Sequence, residues 1–160
     1  MLRNKIICME IVIRKTNEFE KALGIAKTLP EFFTQQGLDE IKVQLPDQAV
    51  YGAYDGEELI ACISYKKVND STIDIAFLFM LETYHGKGIG TRLVEESLAV
   101  EGGEFKVCQV NTLAETVEDA GYARTRKFYE KLGFIPIEII HPYPGWGMEN
   151  PCQIYVRFLK

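Results

Sequence analysis

One junction constrains the fold of this chain more than any other feature. A strand predicted over Thr72–Leu81 ends in a continuous apolar run, which is typical of a strand buried on both faces. Three alternating glycines follow it, Gly86, Gly88 and Gly90, and a helix is predicted from there to about Val100. A strand that leads into a helix through a glycine-rich turn indicates an α/β protein.

The same junction is a candidate anion-binding site. Backbone amides from Gly86 to Thr91 can point into one concavity, and the N-terminus of the helix adds positive potential. Lys87 can add a charge, and the hydroxyl of Thr91 can add a hydrogen bond. A glycine-rich turn that holds no ligand is the alternative interpretation.

Two common phosphate-binding motifs do not fit this turn. A P-loop requires GxxxxGK[ST], whereas Lys87 is followed by Gly88. A dinucleotide fingerprint requires GxGxxG in an opening βαβ unit, whereas this turn reads GxGxG and follows a hairpin in the middle of the chain. The ligand class that remains is a pyrophosphate bound by neither a P-loop nor a dinucleotide fingerprint.

Strands and helices are predicted along the rest of the chain as well. An Asp-Gly pair at Asp55-Gly56 predicts a hairpin, and Thr16 or Asn17 with Glu20 predicts a capping box. The other predicted strands are Ile6–Ile13, Ala49–Tyr54, Leu59–Lys67, Phe105–Leu113, Phe134–Ile140 and Cys152–Phe158. The other predicted helices are Glu18–Leu29, a short helix Glu31–Gln36 closed by Gly37, and Tyr122–Leu132. Without a repeat or linker, residues 1–160 are predicted to form a single mixed α/β domain.

Composition and charge exclude several classes of protein. The chain carries 18 Lys and Arg against 23 Asp and Glu, for a net charge of −5, so no nucleic acid partner is expected. Its longest uncharged apolar run, Ile75 to Leu81, is far shorter than the ~20 residues that a membrane helix needs. With no membrane span or signal peptide in the sequence, the expected location is cytoplasmic.

The four cysteines do not form a metal motif. Cys8, Cys62, Cys108 and Cys152 lie in separate apolar stretches, without a CxxC and with only two histidines in the chain. We expect buried free thiols and no metal.

Two motifs resemble those of the GCN5-related N-acetyltransferase (GNAT) family. The family's first motif is [Q/R]-x-x-G-x-[G/A], and this chain has His85 followed by Gly86-Lys87-Gly88-Ile89-Gly90. The second motif is often written FYEKLGF, and residues 128–134 match it letter for letter. The resemblance implies an α/β (mixed) fold with a central, mostly antiparallel sheet of about seven strands, flanked by helices and splayed between strands 4 and 5. His85 departs from the usual Gln or Arg, and Tyr122 and Thr125 replace an Asn and an Ala of the second motif.

The resemblance also implies acetyl-CoA as co-substrate and an amine as acceptor, joined in a ternary complex. The backbone of Leu78, Phe79 and Met80 would lie along the pantetheine arm, with the amide near Met80 facing the thioester oxygen. Arg126 would meet the 3′-phosphate of the adenosine, unless it pairs with Glu130 on the helix surface. The pyrophosphate would be held by the turn, with His85, Gly86, Lys87, Gly88, Ile89, Gly90 and Thr91 as its residues.

Acid and base chemistry is assigned by the same resemblance. Tyr129 matches the family's general acid, with a core tyrosine as the alternative. Asp74 and Glu82 bracket the strand that would carry the thioester, and either can be the base or a solvated acid. A carboxylate that other branches use on the fifth strand is Gln109 here.

The acceptor is expected near the loop His141–Pro151. Tyr143 and Trp146 would wall a pocket there, and Glu118, Asp119 or Glu149 would meet an ammonium group. Two alternatives are an acetyl-cysteine route through Cys108 or Cys152 and a non-catalytic CoA-binding module. A homodimer is left open.

Overall fold

The computed structural model describes residues 10–159 of the 160-residue chain. Within them the strands are β1 (Ile11–Lys15), β2 (Ala49–Asp55), β3 (Glu58–Lys67), β4 (Thr72–Met80), β5 (Val107–Leu113), β6 (Ile135–Ile140) and β7 (Cys152–Phe158). The α-helices are α1 (Phe19–Ala26), α2 (Gln35–Gln44), α3 (Ile89–Glu101) and α4 (Ala120–Lys131), and short 3₁₀ turns cover Leu45–Asp47 and Glu82–Tyr84. Cys8 and much of the strand predicted over Ile6–Ile13 lie outside the described residues.

The seven strands form one sheet in the order β1-β2-β3-β4-β5-β7-β6. Neighbouring strands are antiparallel except for β4 and β5, which are parallel. Helices α1 and α2 pack on one face of the sheet, and α3 and α4 pack on the other, each face with its own apolar core. The predicted mixed α/β fold, with its mostly antiparallel seven-stranded sheet, is confirmed.

Strands β4 and β5 pair only at their beginnings. Thr72–Ile75 lies beside Val107–Val110, and the pairing stops there. At that point a bulge shifts the register between β3 and β4, so that Ser64 pairs with Phe77 but Tyr65 pairs with Ile75. Because a bulge bends the strand that carries it, β4 parts from β5 and the sheet is splayed between strands 4 and 5, as predicted.

The burial predicted for the end of β4 is wrong in part. Phe79 is buried, but Phe77, Leu78 and Met80 are half-buried. Their partial exposure follows from the splay, because β5 no longer lies beside this half of the strand. The apolar run therefore lines a cleft rather than the middle of a closed sheet.

The predicted helix over Glu31–Gln36 is also wrong. The helix in this region is α2, and it begins one turn later because Thr34 is its N-cap. The Thr34 hydroxyl accepts a hydrogen bond of 3.2 Å from the amide of Gly37, which satisfies a helix-terminal donor. Gly37 therefore lies in the first turn of α2 instead of closing a helix before it.

Two further helix boundaries differ from prediction. Helix α1 ends at Ala26 rather than Leu29, and its N-cap Glu18 makes no side-chain cap, so the predicted capping box is absent. Helix α4 begins at Ala120 because the Asp119 carboxylate accepts a 2.9 Å hydrogen bond from the amide of Tyr122. The hairpin at Asp55-Gly56 is confirmed. Among residues 10–159, no helix is long and apolar enough to cross a bilayer.

Candidate active site

The glycine turn after β4 presents backbone amides at the start of α3. Gly88 is the N-cap of that helix, with a left-handed φ of 77° and no side-chain cap, and Gly86 has a φ of 73°. A Cβ atom built on either residue would meet nothing within 4 Å. The backbone conformation therefore favours glycine at both positions, and the space in front of the helix N-terminus is open to a ligand.

Gly90 serves packing instead. A Cβ atom at this position would lie 3.4 Å from the Phe128 ring and 3.9 Å from the Met80 side chain. These are ordinary van der Waals distances, so the first turn of α3 packs against α4 and β4 at Gly90 without requiring glycine there.

Other side chains of the turn are tied to neighbouring elements. The His85 ring nitrogen Nε2 lies 2.9 Å from the carbonyl oxygen of Met80, at the end of β4. The Tyr84 hydroxyl donates to Asp55 at 2.7 Å, and the Lys87 ammonium lies 5.5 Å from the centre of the Tyr84 ring. These contacts join the turn to the β2–β3 hairpin and to β4. Thr91 is exposed and Ile89 is buried beneath the turn.

The backbone of β4 offers hydrogen-bonding groups to the cleft. The amide of Leu81 donates to Ile60 of β3 at 2.9 Å. Because amides alternate sides along a strand in an antiparallel ladder, those of Leu78 and Met80 point away from β3, toward the splay. The backbone of Phe79 points to β3, so only two of the three predicted residues direct backbone groups into the cleft.

Asp74 lies beside the vertex of the splay. It pairs with Lys66 of β3 and with Gln109 of β5, one residue before the pairing of β4 and β5 ends. Its Oδ1 atom is buried without a hydrogen-bond partner. Burial raises the pKa of Asp74 to about 6, although its interactions with Gln109 and Lys66 act in the opposite direction. A carboxyl group with this pKa can accept a proton near neutral pH.

Tyr129 is on the opposite face of the sheet. Its ring is buried in the core under α3 and α4, edge to face with Phe128 and Phe134 at centroid distances of 5.1 and 5.4 Å. Burial raises the pKa of Tyr129, and the charge of Asp74 contributes to the same shift. The ring therefore fits the core-tyrosine alternative, while the hydroxyl lies within electrostatic reach of Asp74.

Glu82 is not brought together with these two residues. It begins the exposed 3₁₀ turn after β4, whereas Asp74 lies near the beginning of that strand. At about 3.3 Å per residue, the six residues from Asp74 to the end of β4 at Met80 already span roughly 20 Å, and Glu82 lies beyond that end. They cannot act on the same reacting atom, and Asp74 is the one beside the splay.

Arg126 does not pair with Glu130, so the alternative interpretation of Arg126 is wrong. Its guanidinium group donates a 2.8 Å hydrogen bond to the carbonyl oxygen of Leu113, at the end of β5. The Glu130 carboxylate instead accepts a 3.0 Å hydrogen bond from the Tyr155 hydroxyl. A contact of Arg126 with the cofactor stays a prediction.

The loop between β6 and β7 folds back onto β5. The Asn111 side chain donates a 3.0 Å hydrogen bond from Nδ2 to the Tyr143 hydroxyl. Tyr143 and Trp146 contact each other edge to face, with their centroids 5.1 Å apart. The two aromatic residues predicted to wall a pocket are therefore adjacent and attached to the sheet near Asp74. Asp119 is the N-cap of α4, where its Oδ1 atom accepts a hydrogen bond from the amide of Tyr122; a contact of its carboxylate with an ammonium group stays a prediction.

The family model described as Acetyltransferase (GNAT) domain matches residues 46–136 of the sequence. This chain belongs to the GNAT family. Comparison with curated protein sequences found no match.

Solved structures share the fold over nearly the whole chain. A GNAT-family protein from Desulfovibrio desulfuricans is similar with a TM-score of 0.79 and 16% identity, and the match covers 94% of this chain and 99% of that one. A GNAT acetyltransferase from Elizabethkingia anophelis with acetyl-CoA bound gives a TM-score of 0.68 at 17% identity, with 93% and 98% coverage. An aminoglycoside 6′-N-acetyltransferase in complex with coenzyme A gives 0.68 at 19% identity, with 92% and 96% coverage. At these identities the likeness shows a common fold.

Sequence reasoning missed several residues around the cleft of this GNAT domain. Asn111 lies on the same face of the sheet as Gln109, and the alternation of polar and apolar residues in β5 is the signal that could have found it. Phe32 and Phe33, in the connection between α1 and α2, contact Tyr122 of α4 and Phe79 of β4. No sequence signal marks these two rings as neighbours of the cleft, because their aromatic partners are distant in the chain.

The cysteines of the GNAT domain are poor nucleophiles. Cys62, Cys108 and Cys152 are buried free thiols. Burial raises the pKa to about 12 for Cys62 and Cys108, and to about 11 for Cys152. Since the thiolate is the reactive form, these values disfavour the acetyl-cysteine route. Among the described residues, no group of three His, Cys, Asp or Glu side chains comes together that could hold a metal ion.

Proposed function

We propose that this protein transfers the acetyl group of acetyl-CoA directly to a small amine in a ternary complex. The observation that carries the proposal is the cleft between β4 and β5, which separates a candidate base from a candidate acid. Asp74 lies on the α1 and α2 face of the sheet and Tyr129 on the α3 and α4 face. An amine and a CoA sulfur that approach the splay from opposite faces would each meet the group that they need.

Backbone groups would bind the acetyl donor, acetyl-CoA. Amides at the beginning of α3, from Gly86 to Thr91, would hold the pyrophosphate. Backbone groups of Leu78 and Met80, which have no strand partner beyond the splay, would hydrogen-bond the donor: Met80 would contact the pantetheine arm, and the amide of Leu78, the nearer of the two to Asp74, would face the thioester oxygen. A preorganised donor to such an oxygen is worth ~3 kcal/mol in the transition state. The acetyl-CoA and coenzyme A bound in the two similar structures support this choice of donor.

The role assigned to each side chain follows from whether it can accept or donate a proton at neutral pH. The amine nitrogen attacks the thioester carbon, and its proton passes to Asp74, directly or through a water molecule. The C–S bond then breaks, and the sulfur leaves as a thiolate. Because burial raises the pKa of Tyr129, the phenol keeps its proton at neutral pH and would stabilise the thiolate by donating a hydrogen bond. Glu82 lies too far along the chain to share this role.

A thiol-release assay tests the proposal. The protein is incubated with acetyl-CoA and a panel of amines, and free CoA thiol is followed in time. We expect release that depends on the amine, with initial-rate lines that intersect when both substrates are varied. Binding of acetyl-CoA without turnover of any amine would instead identify a non-catalytic CoA-binding module. Parallel lines with an isolable acetyl-enzyme would contradict direct transfer.

A further inference from the structure

Among residues 10–159, the helices leave one half of the sheet uncovered on the side where α1 and α2 lie. The apolar core under α1 and α2 contains residues of β2, β3 and β4, such as Cys62 and Phe79, and no residue of β5, β7 or β6. Cys108, Val110 and Tyr155 enter the core under α3 and α4. Because side chains alternate along a strand, the residues next to these three point to the uncovered side.

The uncovered half carries a patch of apolar side chains. Phe158 pairs with Val107, and Val156 pairs with Ile135, so all three strands contribute to the same side. Phe158 is 66% exposed and Ile135 is 50% exposed, while Ile137, in the bulge of β6, is 58% exposed. We name this surface the β5–β7–β6 patch, and its residues are Val107, Ile135, Ile137, Ile154, Val156 and Phe158.

We propose that the β5–β7–β6 patch binds the same patch of a second copy of this chain, so that the two sheets face each other in a homodimer. Its side chains expose on the order of 400 Å², close to the roughly 450 Å² of apolar surface on one side of a stable interface. Contact with a second copy removes this surface from water in both chains at once. The inference does not depend on acetyl transfer.

The face of β6 is a better contact surface than its edge. β6 is the last strand of the sheet, and Pro136 within it has no N–H group to donate to another strand. The register shift between Pro136 and Glu138 is a bulge. Proline and bulges are typical of edge strands that do not pair with another chain. A partner that meets this part of the molecule therefore packs on the side chains of the face.

Charges at the two borders of the patch are complementary under two-fold symmetry. Lys66 of β3 pairs with Asp74, and Glu138 of β6 pairs with Ile154, so both charged residues lie on the side of the patch. Both are exposed. A two-fold axis parallel to the strands exchanges the two borders and brings Lys66 of each copy toward Glu138 of the other. Because an isologous dimer requires such a self-complementary surface, the charges favour a second copy over an unrelated protein.

Sedimentation of the full chain tests the proposal, and we expect a dimer with a dissociation constant in the micromolar range. Phe158→Lys should weaken association at least 100-fold, because it places a charge in the patch. Val100→Lys is the matched control, since Val100 is 70% exposed but lies on α3, on the other side of the sheet. A wild type that is monomeric at about 100 µM, or equal dissociation constants for the wild type and Phe158→Lys, would overturn the proposal.

Charge reversal tests which surfaces meet. Glu138→Lys and Lys66→Glu should each weaken the dimer about tenfold, and the double variant should restore the dissociation constant to within about threefold of the wild-type value. Two β6 edges that paired with each other would give no restoration, because β4, β5 and β7 separate β3 from β6. A double variant that is not restored therefore contradicts face-to-face packing.

Thermal melting and acetyl-CoA binding separate lost association from lost folding. Phe158→Lys changes an exposed side chain, so we expect the monomeric variant to keep the acetyl-CoA affinity of the wild type. If Phe158→Lys does not fold, Ile135→Lys gives the same readout from the neighbouring strand. Association is measured without an amine, so a failure of the thiol-release assay leaves this result unaffected.

Discussion

At the scale of single residues, the candidate site depends on burial more than on residue type. Asp74 and Tyr129 are both removed from water, one on each face of the sheet, and the pKa of each is raised. For the carboxyl group a raised pKa improves its use as a base near neutral pH. For the phenol a raised pKa keeps the proton in place and favours hydrogen-bond donation.

Substitution of Tyr129 by Phe tests the acid role. Phe keeps the ring packing against Phe128 and Phe134 and removes only the hydroxyl. We expect acetyl-CoA binding to stay unchanged and kcat to fall about 100-fold or more, because the thiolate loses a preorganised hydrogen-bond donor. Calorimetry and steady-state rates measure the two quantities. A drop of less than about threefold, with chemistry rate-limiting, would assign Tyr129 to packing.

Asp74 gives the activity a pH dependence. Its pKa is about 6, and only the ionised form accepts a proton. We expect kcat/KM to rise with pH through about 6 and to level off above, on top of any titration of the amine itself. Asp74→Asn should lower the rate and remove the rise near pH 6. A wild-type profile without an inflection between pH 5 and 7 would argue against Asp74 as the base.

The same group links stability to pH, with a defined sign. The pKa of Asp74 rises from 3.8 to about 6 on folding, so the native state holds the proton more tightly. Its contribution to the free energy of unfolding is present below pH 4 and is lost as the pH rises through about 6. Asp74→Asn should therefore flatten the pH dependence of urea unfolding between pH 4 and 7. An unchanged slope in that window would show that Asp74 is not buried in solution.

At the scale of elements, the junction of β4 with α3 carries the donor site. Its two left-handed glycines shape the turn, its helix N-terminus lacks a side-chain cap, and its third glycine packs against Phe128 of α4 and Met80 of β4. The bulge in β4 then sets where the strand leaves β5. The cleft beside β4 and the turn proposed to bind the pyrophosphate are thus consecutive parts of one strand–turn–helix unit.

A carboxylate introduced at Gly88 should abolish acetyl-CoA binding, because it would place negative charge in front of the amides at the start of α3. Gly56→Glu is a matched control. Gly56 also has a left-handed φ, of 61°, and open space around its Cβ position, but it lies in the β2–β3 hairpin. Both variants carry similar backbone strain, so calorimetric binding lost in Gly88→Glu alone identifies the turn as the anion site. Equal affinities would refute that placement.

At the scale of the whole molecule, the cleft is assembled from distant parts of the chain. β4, β5 and the loop between β6 and β7 meet where Tyr143 hydrogen-bonds Asn111. The connection between α1 and α2 approaches from the other side, with Phe32 against Tyr122. An acceptor bound in this cleft would therefore touch several elements at once.

Trp146 tests whether the loop belongs to the acceptor site. Trp146 is half-buried and packs on Tyr143, so Trp146→Ala would remove one wall of the cleft. We expect the KM for the amine to rise at least tenfold, with the KM for acetyl-CoA changed by less than about twofold. Steady-state kinetics with both substrates varied measures this. If both KM values stay at their wild-type values, the loop only packs on the sheet and does not bind the acceptor.

What the sequence by itself determined was local. Residues 86–90 and residues 128–134 each form a motif within a few positions. These two motifs were enough to predict the family and its seven-stranded, mostly antiparallel sheet. The hairpin at Asp55-Gly56 was also predictable, because its turn chemistry is local. The helix over Glu31–Gln36 was misplaced although its signal is also local, because Thr34 was not recognised as the N-cap whose hydroxyl accepts from the amide of Gly37.

Only the tertiary structure decided which side chains share the cleft. Asp74 and Glu82 looked equivalent in the sequence, but the bulge and splay bring one of them to the vertex and leave the other in an exposed turn. Asn111 belongs to no motif, and its hydrogen bond to Tyr143 joins β5 to a loop some thirty residues away in the chain. Burial and register are properties of chain segments packed against each other, so a sequence pattern read within one segment does not specify them.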